Sequence, residues 1–372
     1  MRARLVVWTM LFALLGAGCS EEDPRRRDRV PLTQDRERLE QVGEGLYRTH
    51  CALCHGRDGE GYQADNAPML ANQEWLRSVT DEFIDAAIAN GRPGTPMSAW
   101  ARVHGGPFSD TQILAVRTYL RAWQRFPRAN VEDTRVQGDL TRGRLLYAVH
   151  CARCHGTRGE GVDAIALANP AFQATASQGF IQYAILHGRS GTRMEAFHDQ
   201  LTPEQVDDLV TFVDAFGDPR AVARAAQEQQ HPPRPPELAP LAEMDLVIHP
   251  DGPIAQFTDL REGRYVPAAE VQRQLEAGRR MIIMDARATS DWIRQRIPGA
   301  IPVPFYEVPG LIEALPRDGT PMIAYCACPH AASGHVVDAL REHGFENTMV
   351  LDEGIDFWAQ QDYPVATGTE QP

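Results

Sequence analysis

The sequence lacks lysine and has no surplus of positive charge. All 37 basic residues are arginine, and 50 Asp and Glu outnumber them, so the formal net charge is −13. Because non-specific binding to nucleic acid depends on neutralising phosphates with basic side chains, we expect no nucleic-acid partner. The acidity is concentrated at one end of the chain. Residues 241–372 hold 20 acidic residues and 10 Arg, which leaves a net charge of −3 for the first 240 residues.

An apolar run long enough to span a membrane is missing from the N-terminal region. The uncharged stretch 5–18 has 14 residues, whereas a spanning helix needs roughly 20. It is typical of a signal peptide, predicted over residues 1–18. Cys19 follows it and resembles the lipidated cysteine of a bacterial lipobox, although Gly16 stands where that motif usually has Leu.

We therefore expect a lipid anchor on Cys19 and a solvated tether over residues 19–36. This places the protein in the bacterial cell envelope, facing the periplasm and attached to the inner or the outer membrane. A plain secretion signal and an uncleaved anchor are the alternatives.

The length and the cysteine pattern predict several folded units. A chain of 372 residues with 43% hydrophobic and 23% charged residues is too long for one ordinary domain and too apolar to be disordered. The chain has seven cysteines. Apart from Cys19, they fall into two Cys-x-x-Cys-His strings and one Cys-x-Cys.

Two segments of the chain are copies of one another. Residues 43–61 match residues 143–161 at an offset of 100, and the match resumes after residue 70 at an offset of 97. The repeat indicates two domains of one kind.

Each copy contains a Cys-x-x-Cys-His string, in which every part has a role in attaching haem c. The two thiols form thioethers with the haem vinyl groups, and the histidine is the proximal iron ligand. A zinc site or a redox cysteine pair is the alternative, but the string occurs twice inside a repeat. The predicted attachment residues are Cys51, Cys54 and His55 in the first copy and Cys151, Cys154 and His155 in the second.

Both copies resemble class I cytochrome c, over roughly residues 37–126 and 137–217. The resemblance implies two all-α domains, each with one covalently bound haem c. Closing helices behind Ser or Thr caps are predicted over 109–123 and 202–216.

The family usually takes the sixth iron ligand from a later methionine. Met69 aligns with Ala166 in the second copy, whereas Met97 aligns with Met194 inside a shared sequence frame. We expect Met97 and Met194 to be the distal ligands. Alternatives for bis-histidine ligation are His104, His187 and His198.

Iron with six protein-fixed ligands has no open position for a substrate, so these haems are suited to electron transfer. A haem enzyme such as a peroxidase would need an open iron, and the paired methionines argue against it. We expect redox proteins of the envelope as partners.

A change of pattern marks a third unit. Residues 218–240 are predicted to be a Pro-rich, semi-extended linker. Beyond them, over 241–366, strands alternate with helices, which predicts an α/β domain with a parallel sheet. The expected strands are 281–285, 301–303, 322–326 and 348–351, with a helix over 332–343.

The third unit resembles the rhodanese family of sulfurtransferases, over roughly residues 264–366. The matching strings are Asp-Ala-Arg at 285–287, Arg-Ile-Pro-Gly-Ala at 296–300 and Tyr-Cys at 325–326, together with the segment 350–358. The resemblance implies that Cys326 is a nucleophile that becomes a persulfide, held by an anion-binding loop before a helix. Asp285 and Arg287 are expected to be structural.

Two departures from the family pattern concern the loop after Cys326. The loop has no Arg or Lys, so His330 is its only candidate anion contact, and the unit carries a net charge of −10. Sulfur from a protein or small-molecule persulfide is therefore easier to accept than a dianion such as thiosulfate. Cys328 is a candidate resolving thiol, disulfide partner or ligand for a soft metal.

The expected function is an envelope di-haem cytochrome whose third domain binds or transfers sulfane sulfur on Cys326, near the oxidation of an inorganic sulfur compound. The alternative is a plain electron carrier with a non-catalytic rhodanese-like module for docking or sensing.

Overall fold

The computed structural model describes residues 32–64, 66–131, 134–327 and 330–370. The predicted signal peptide, the lipidation candidate Cys19 and the candidate thiol Cys328 lie outside the described residues. The tether was predicted to extend to residue 36, and this is wrong for residues 32–36, which form the start of the first helix. None of the helices in the described part of the chain is both long and apolar enough to cross a membrane.

The first part of the described chain forms two helical units of the same design, as predicted. In each, a long helix leads directly into a short helix that holds the second Cys and the His of the haem-attachment string. The helices of the first unit are α1 (Leu32–His50), α2 (Ala52–His55), α3 (Gln73–Ser78), α4 (Asp81–Asn90) and α5 (Asp110–Ala122). Those of the second are α6 (Leu140–His150), α7 (Ala152–His155), α8 (Pro170–Gln173), α9 (Gln178–His187) and α10 (Pro203–Asp214).

The closing helices begin where the sequence predicts. Ser109 and Thr202 each accept a hydrogen bond from the backbone N–H three residues on. The side-chain oxygens of Gln112 and Gln205 in turn accept a hydrogen bond from the backbone N–H of the cap residue. These capping boxes satisfy N–H groups that a helix start otherwise leaves unpaired.

Glycine permits the close crossing of the first and last helix in each unit. A Cβ atom at Gly43 would lie 2.0 Å from the carbonyl oxygen of Ala115, and one at Gly143 would lie 2.1 Å from that of Asp208. No side chain fits at these distances, so the crossing of α1 with α5, and of α6 with α10, depends on glycine.

The two cytochrome-like units meet through equivalent residues. Asn72 Nδ2 donates a hydrogen bond to Ser190 O at 2.9 Å, and Asn169 Nδ2 donates one to Pro93 O at 2.8 Å. Each asparagine also caps a helix of its own unit, α3 or α8. Because both donors and both acceptors are related by the repeat, the two halves are related by an approximate two-fold axis.

Aromatic rings lie at the centre of this contact. The rings of Phe83 and Phe180, which occupy equivalent positions, are 5.1 Å apart. The guanidinium of Arg92 lies over Phe83 at 5.0 Å, and that of Arg189 lies over Phe180 at 5.4 Å. The interface therefore combines apolar burial with two cation–π pairs.

The linker is not extended throughout. The prediction of a semi-extended spacer over residues 218–240 is wrong for its first half, which forms α11 (Pro219–Gln230). Asp218 caps this helix by accepting a hydrogen bond from Arg220 N, and Pro219 occupies its first turn, where a missing N–H costs nothing.

The third unit is an α/β domain with a parallel sheet, as predicted, and the five strands of its described residues follow the order β1-β5-β4-β2-β3. Four strands lie where the sequence predicts them, and the fifth, of two residues, was not predicted. The strands are β1 (Tyr265–Val266), β2 (Ile282–Asp285), β3 (Ile301–Pro302), β4 (Met322–Tyr325) and β5 (Thr348–Leu351).

Helices cover the sheet, whose three longest strands are buried along their whole length. The helices are α12 (Ala268–Glu276), α13 (Thr289–Arg294), α14 (Val308–Leu311), α15 (Ala331–Glu342) and α16 (Gly354–Gln360). Strand β4 ends at Tyr325, so Cys326 stands at the carboxyl edge of the sheet, before α15. This edge is where functional groups of parallel sheets gather.

Candidate haem sites and the Cys326 loop

The haem-attachment string of each copy forms one helical turn. The N–H of His55 donates to Cys51 O at 2.9 Å, and the N–H of His155 donates to Cys151 O at 3.0 Å. Residues three apart on such a turn lie on one face, so the two cysteines of each string are side by side. Burial raises the pKa of the Cys51 thiol to about 12, with a smaller contribution from Cys54.

The attachment histidines are oriented by backbone carbonyls. His55 Nδ1 donates to Pro68 O at 2.9 Å, and His155 Nδ1 donates to Ile165 O at 2.9 Å. Burial lowers the pKa of both imidazoles, although each carbonyl opposes it. The neutral tautomer with hydrogen on Nδ1 leaves Nε2 free to bind iron, which is the usual arrangement of a metal-binding histidine.

Each haem-attachment string is followed by a Gly-Glu-Gly segment, at residues 59–61 and 159–161, which is also part of the repeat. Glu60 accepts a hydrogen bond from Asp58 N, and Glu160 accepts one from Arg158 N. Backbone hydrogen bonds lower the pKa of both carboxyls. These glutamates therefore fix the loop that follows each histidine.

The loops that carry Met97 and Met194 have the same hydrogen-bond frame. Arg92 N donates to Met97 O, and Arg189 N donates to Met194 O, both at 2.8 Å. The N–H of each methionine donates to a threonine two residues earlier, at 3.2 and 3.1 Å. Both side chains are partly buried against the cytochrome core, as are Cys51 and Cys151.

The alternative ligands have other contacts. His104 Nε2 is 2.9 Å from Asn90 Oδ1. His187 stacks on Tyr183, with ring centres 4.2 Å apart. Both ring nitrogens of His198 are within 3.0 Å of other groups, Leu186 O and the Asp199 carboxylate.

Met69 lies at the boundary between the two units. Its terminal methyl carbon would be 3.7 Å from a Cβ atom at Gly191 of the second unit, and Asn72 Nδ2 is 4.0 Å from its sulfur. Its environment is therefore unlike that of Met97, whose position the repeat preserves.

The donor sets fit covalently attached haem c. Each unit supplies two thiols, one Nε2 and one thioether, which are the groups that attach haem and fill both axial positions. Arg92 and Arg189 are also partly buried beside the methionine loops, and burial lowers the pKa of each to about 10. A buried guanidinium is stabilised by an anion, and the haem propionates are carboxylates.

Cys326 is buried in the third unit, with 2% of its surface exposed. Its sulfur is 3.3 Å from Ser333 Oγ, in the first turn of α15, so it lies close to the positive end of a helix. A side chain at Gly354, which has φ +73°, would lie 2.6 Å from Cys326 O. The backbone at Cys326 and Ala327 is therefore tightly enclosed.

The residues expected to be structural form a buried network. Asp285 accepts hydrogen bonds from Arg287 Nε at 2.9 Å and from Tyr325 Oη at 2.9 Å. Burial alone would lower the pKa of Arg287, but the charge of Asp285 outweighs it and raises the pKa. This network joins β2, β4 and the loop before α13.

The candidate anion contact His330 is held by an acidic residue. Its Nε2 is 3.1 Å from Asp352 Oδ1, and its ring lies on Tyr265 with centres 4.2 Å apart. Asp352 also binds Arg261, which lowers the pKa of that carboxyl. The candidate anion contact is thus held by a carboxylate, while Cys328 lies outside the described residues.

The first cytochrome-like unit packs against the Cys326 side of the third unit. Ser98, next to Met97, is 2.5 Å from Asp291 Oδ2, and Ser290 Oγ donates to Ala99 O at 2.6 Å. Both serines and Asp291 are buried. Burial raises the pKa of Asp291, although Arg287 and Arg294 oppose it.

Aromatic and apolar side chains extend this contact. Tyr306 lies 4.6 Å from the ring of His50 and 5.6 Å from that of Trp100. Leu53, inside the first haem-attachment string, packs against the core of the third unit, and α2 contacts α15.

A small cleft lies between the Met97 loop and the residue that follows Cys326. It is lined by Gly94 and Thr95 of the methionine loop, by Ala327 next to Cys326, and by Arg287. Sequence reasoning did not find this contact, because its residues come from segments about 200 positions apart and carry no motif.

Comparison with known proteins agrees with this architecture. The family model described as cytochrome C oxidase, cbb3-type, subunit III matches residues 39–120 and 138–213, and that of the rhodanese-like domain matches residues 267–361. The protein is therefore a multidomain c-type cytochrome with a rhodanese-like domain at its C-terminal end. More particularly, it carries two cbb3-type cytochrome c domains and binds two covalently attached haem c groups.

The relatives cover the cytochrome half. The cbb3-type cytochrome c oxidase subunit CcoP of Rubrivivax gelatinosus is 28% identical over 186 residues, 49% of this chain and 56% of the relative. Subunit FixP of Bradyrhizobium diazoefficiens is 26% identical over 187 residues, 47% of this chain and 60% of the relative. The chain thus spans less than two thirds of either. A rhodanese-related protein of Thermoplasma volcanium is 26% identical, with a TM-score of 0.25, and the match covers 28% of this chain and 97% of that one.

Proposed function

We propose that this protein is an electron carrier of the bacterial envelope whose rhodanese-like domain holds sulfane sulfur on Cys326 and passes electrons from it to the first haem. Met97 and Met194 are the distal iron ligands in this proposal, His55 and His155 the proximal ones. Bound haem supplies one-electron reduction and oxidation of iron. Cys19 carries the lipid that holds the chain at a membrane surface.

The observation that supports this assignment is the cleft between the two domains. Its walls belong to the loop of Met97 and to the loop of Cys326, and the buried pair Ser98–Asp291 closes the contact beside it. Electron transfer becomes rapid when donor and acceptor are held close together and shielded from water. A docking or sensing module has no need for its thiol loop to face an axial-ligand loop.

The proposed sulfur chemistry takes place at Cys326. Cys326 accepts the sulfur, with the first turn of α15 and Ser333 beside the thiolate. Sulfur transfer to Cys326 is itself redox-neutral. Joining the persulfide to a second thiol forms one S–S bond and releases two protons and two electrons. His55 with Met97, and His155 with Met194, would hold the two haem groups that take up these electrons, one each.

Anaerobic mixing of the oxidised full-length protein with a small-molecule persulfide, followed by haem absorbance in a stopped-flow instrument, tests the proposal. Haem reduction should be lost in the Cys326→Ser variant and should persist in Cys19→Ser, which changes a cysteine outside both the haem-attachment strings and the sulfur site. If reduction is the same in the wild type and in Cys326→Ser, or absent from both, the sulfur chemistry is wrong and the protein is a plain electron carrier.

A further inference from the structure

The two cytochrome domains differ on the face that surrounds their haem-attachment strings. In the second domain Arg144, Leu145, Val149 and Arg153 lie on one exposed side of α6 and α7, here called the α6–α7 face. Leu145 and Val149 are four residues apart in α6 and therefore lie along one stripe, and Arg153 is exposed on α7, which follows α6 directly. Leu145 is 60% exposed and Val149 is 76% exposed.

The first domain has a different set at the same positions. Glu44, Gly45, Thr49 and Leu53 are equivalent to Arg144, Leu145, Val149 and Arg153 at the offset of 100. The first two domains therefore share a fold but not this surface. Acidic and small residues in the first copy are replaced by basic and apolar residues in the second.

In the first domain, residues in and beside the haem-attachment string contact another domain. Leu53 packs against the rhodanese-like domain, and the ring of His50 lies on Tyr306. The equivalent residues of the second domain, His150 and Arg153, are exposed. In the first copy this position is a docking contact within the chain, and in the second it faces solvent.

Charge identifies the kind of partner. Between residues 140 and 159 there are four Arg and no Asp or Glu, although the chain as a whole carries −13. The matching segment 40–59 of the first copy has three acidic residues and two Arg. An apolar centre bordered by arginines is complementary to an apolar surface bordered by carboxylates.

We propose that the α6–α7 face is the docking site for a separate electron-transfer protein with an acidic rim around an apolar centre. Because Cys151 and Cys154 attach the second haem in this same segment, the docked partner lies beside the attachment edge of that haem. The first haem is next to the rhodanese-like domain, so the second haem exchanges electrons with the outside. This inference rests on the electron-transfer part of the proposed function and is independent of the chemistry of Cys326.

The test uses one probe protein in two charge states. The lysines on mitochondrial cytochrome c give it a basic rim, and succinylation converts them to carboxylates. Stopped-flow rates of electron exchange with the full-length protein are measured for both forms at low and high ionic strength. Benzoquinone, a small neutral oxidant, serves as a reference that needs no docking.

Two pairs of substitutions separate charge from apolar contact. Arg144→Glu with Arg153→Glu should slow exchange with the acidic form roughly tenfold at low ionic strength and much less at high ionic strength. It should accelerate exchange with the basic form. Leu145→Gln with Val149→Thr should slow exchange with the acidic form at both ionic strengths.

The matched controls are Arg57→Glu and Val42→Thr on the first domain, which should leave both rates unchanged. Equal rates in the wild type and the α6–α7 variants, or equal losses in the controls, overturn the proposal. A wild-type dimer that Leu145→Gln with Val149→Thr converts to a monomer would also overturn it, because the face would then bind a second copy. Haems that benzoquinone fails to oxidise would contradict the electron-transfer role itself.

Discussion

Asp208 holds two helix ends together in the second cytochrome domain. The buried carboxylate accepts hydrogen bonds from Asp139 N at 2.6 Å and from Arg142 Nε at 2.7 Å, which joins the start of α6 to α10. The hydrogen bond with Arg142 lowers the pKa of Asp208, and the bond from Asp139 adds to this effect. The charged carboxylate therefore stabilises the folded state.

Replacing Asp208 by Asn should lower the stability at pH 7, by about 1–3 kcal/mol, because hydrogen bonds to a charged group are lost. The folded-state pKa lies below the unfolded value of about 3.9, so this contribution is complete above pH 5 and is lost as the pH falls through the folded-state pKa. The difference from the wild type should shrink below about pH 4. Thermal unfolding followed by circular dichroism between neutral and acidic pH measures it.

Asp199→Asn is the control, because Asp199 is 88% exposed and should contribute little at any pH. A difference between Asp208→Asn and the wild type that stays constant down to pH 2 would contradict the role assigned to the charge.

Substitution of single methionines tests which of them bind iron. Met97→Ala and Met194→Ala should each remove one haem's share of the weak red absorption band that a methionine–iron(III) bond produces, because the sulfur is lost from that iron. Met69→Ala should leave the band intact. The absorption spectrum of the oxidised protein decides the matter, and a full band in Met97→Ala would show that another group binds the first iron.

Single glycines decide how the helices of each cytochrome domain cross. Gly143→Ala should destabilise the second domain by several kcal/mol, because its Cβ would meet Asp208 O and the backbone would have to move apart. Gly45→Ala should instead stabilise the first domain slightly. Nothing lies within 4 Å of that position, and alanine favours a helix over glycine by about 1 kcal/mol.

Denaturant unfolding of the two variants provides the comparison. Similar stability of Gly143→Ala and Gly45→Ala would mean that the helices tolerate a wider crossing than the structure has.

Helices and strands that are determined by residues close together in the chain could be predicted from the sequence. The haem-attachment turns, the capped closing helices and strands β2 to β5 follow from spacing, caps and buried apolar runs. Helix α11 was not predicted, because the prolines at 232–236 indicate an extended linker and the whole segment 218–240 was assigned to it. The Ala, Gln and Arg residues before these prolines favour a helix. Strand β1 has only two residues and takes its structure from β5.

Contacts between distant segments could not be predicted. Ser98 and Asp291 are 193 positions apart, and neither belongs to a recognisable motif. The expectation that Met97, and not Met69, binds the first iron depends on the second copy, which carries the same frame around Met194, so the repeat provides a comparison inside one sequence. The contact with the rhodanese-like domain has no such internal copy.

For the whole molecule, the contact between the first cytochrome domain and the rhodanese-like domain can be opened with one residue. Leu53→Arg places in the first attachment string the residue that the second carries as Arg153, so haem attachment should be preserved. A charge placed in this partly buried apolar contact is costly. Cys326-dependent haem reduction should slow at least severalfold, while reduction by dithionite should be unchanged.

Small-angle scattering should show a larger radius of gyration for Leu53→Arg than for the wild type. The control is Arg153→Leu, which makes the reverse exchange on the exposed second domain. Unaltered dimensions and kinetics in Leu53→Arg would mean that this leucine does not hold the domains together.

The approximate two-fold axis between the cytochrome domains has a consequence for the origin of the molecule. Equivalent asparagines donating to equivalent carbonyls, with Phe83 against Phe180, are the pattern of a symmetric homodimer. A gene duplication that joined the two subunits of such a homodimer accounts for this symmetry. Once tethered, they met at an effective concentration of roughly millimolar, so the contact no longer needed to be strong to persist. One subunit was then free to acquire a permanent neighbour, and the other could keep an open surface for exchange.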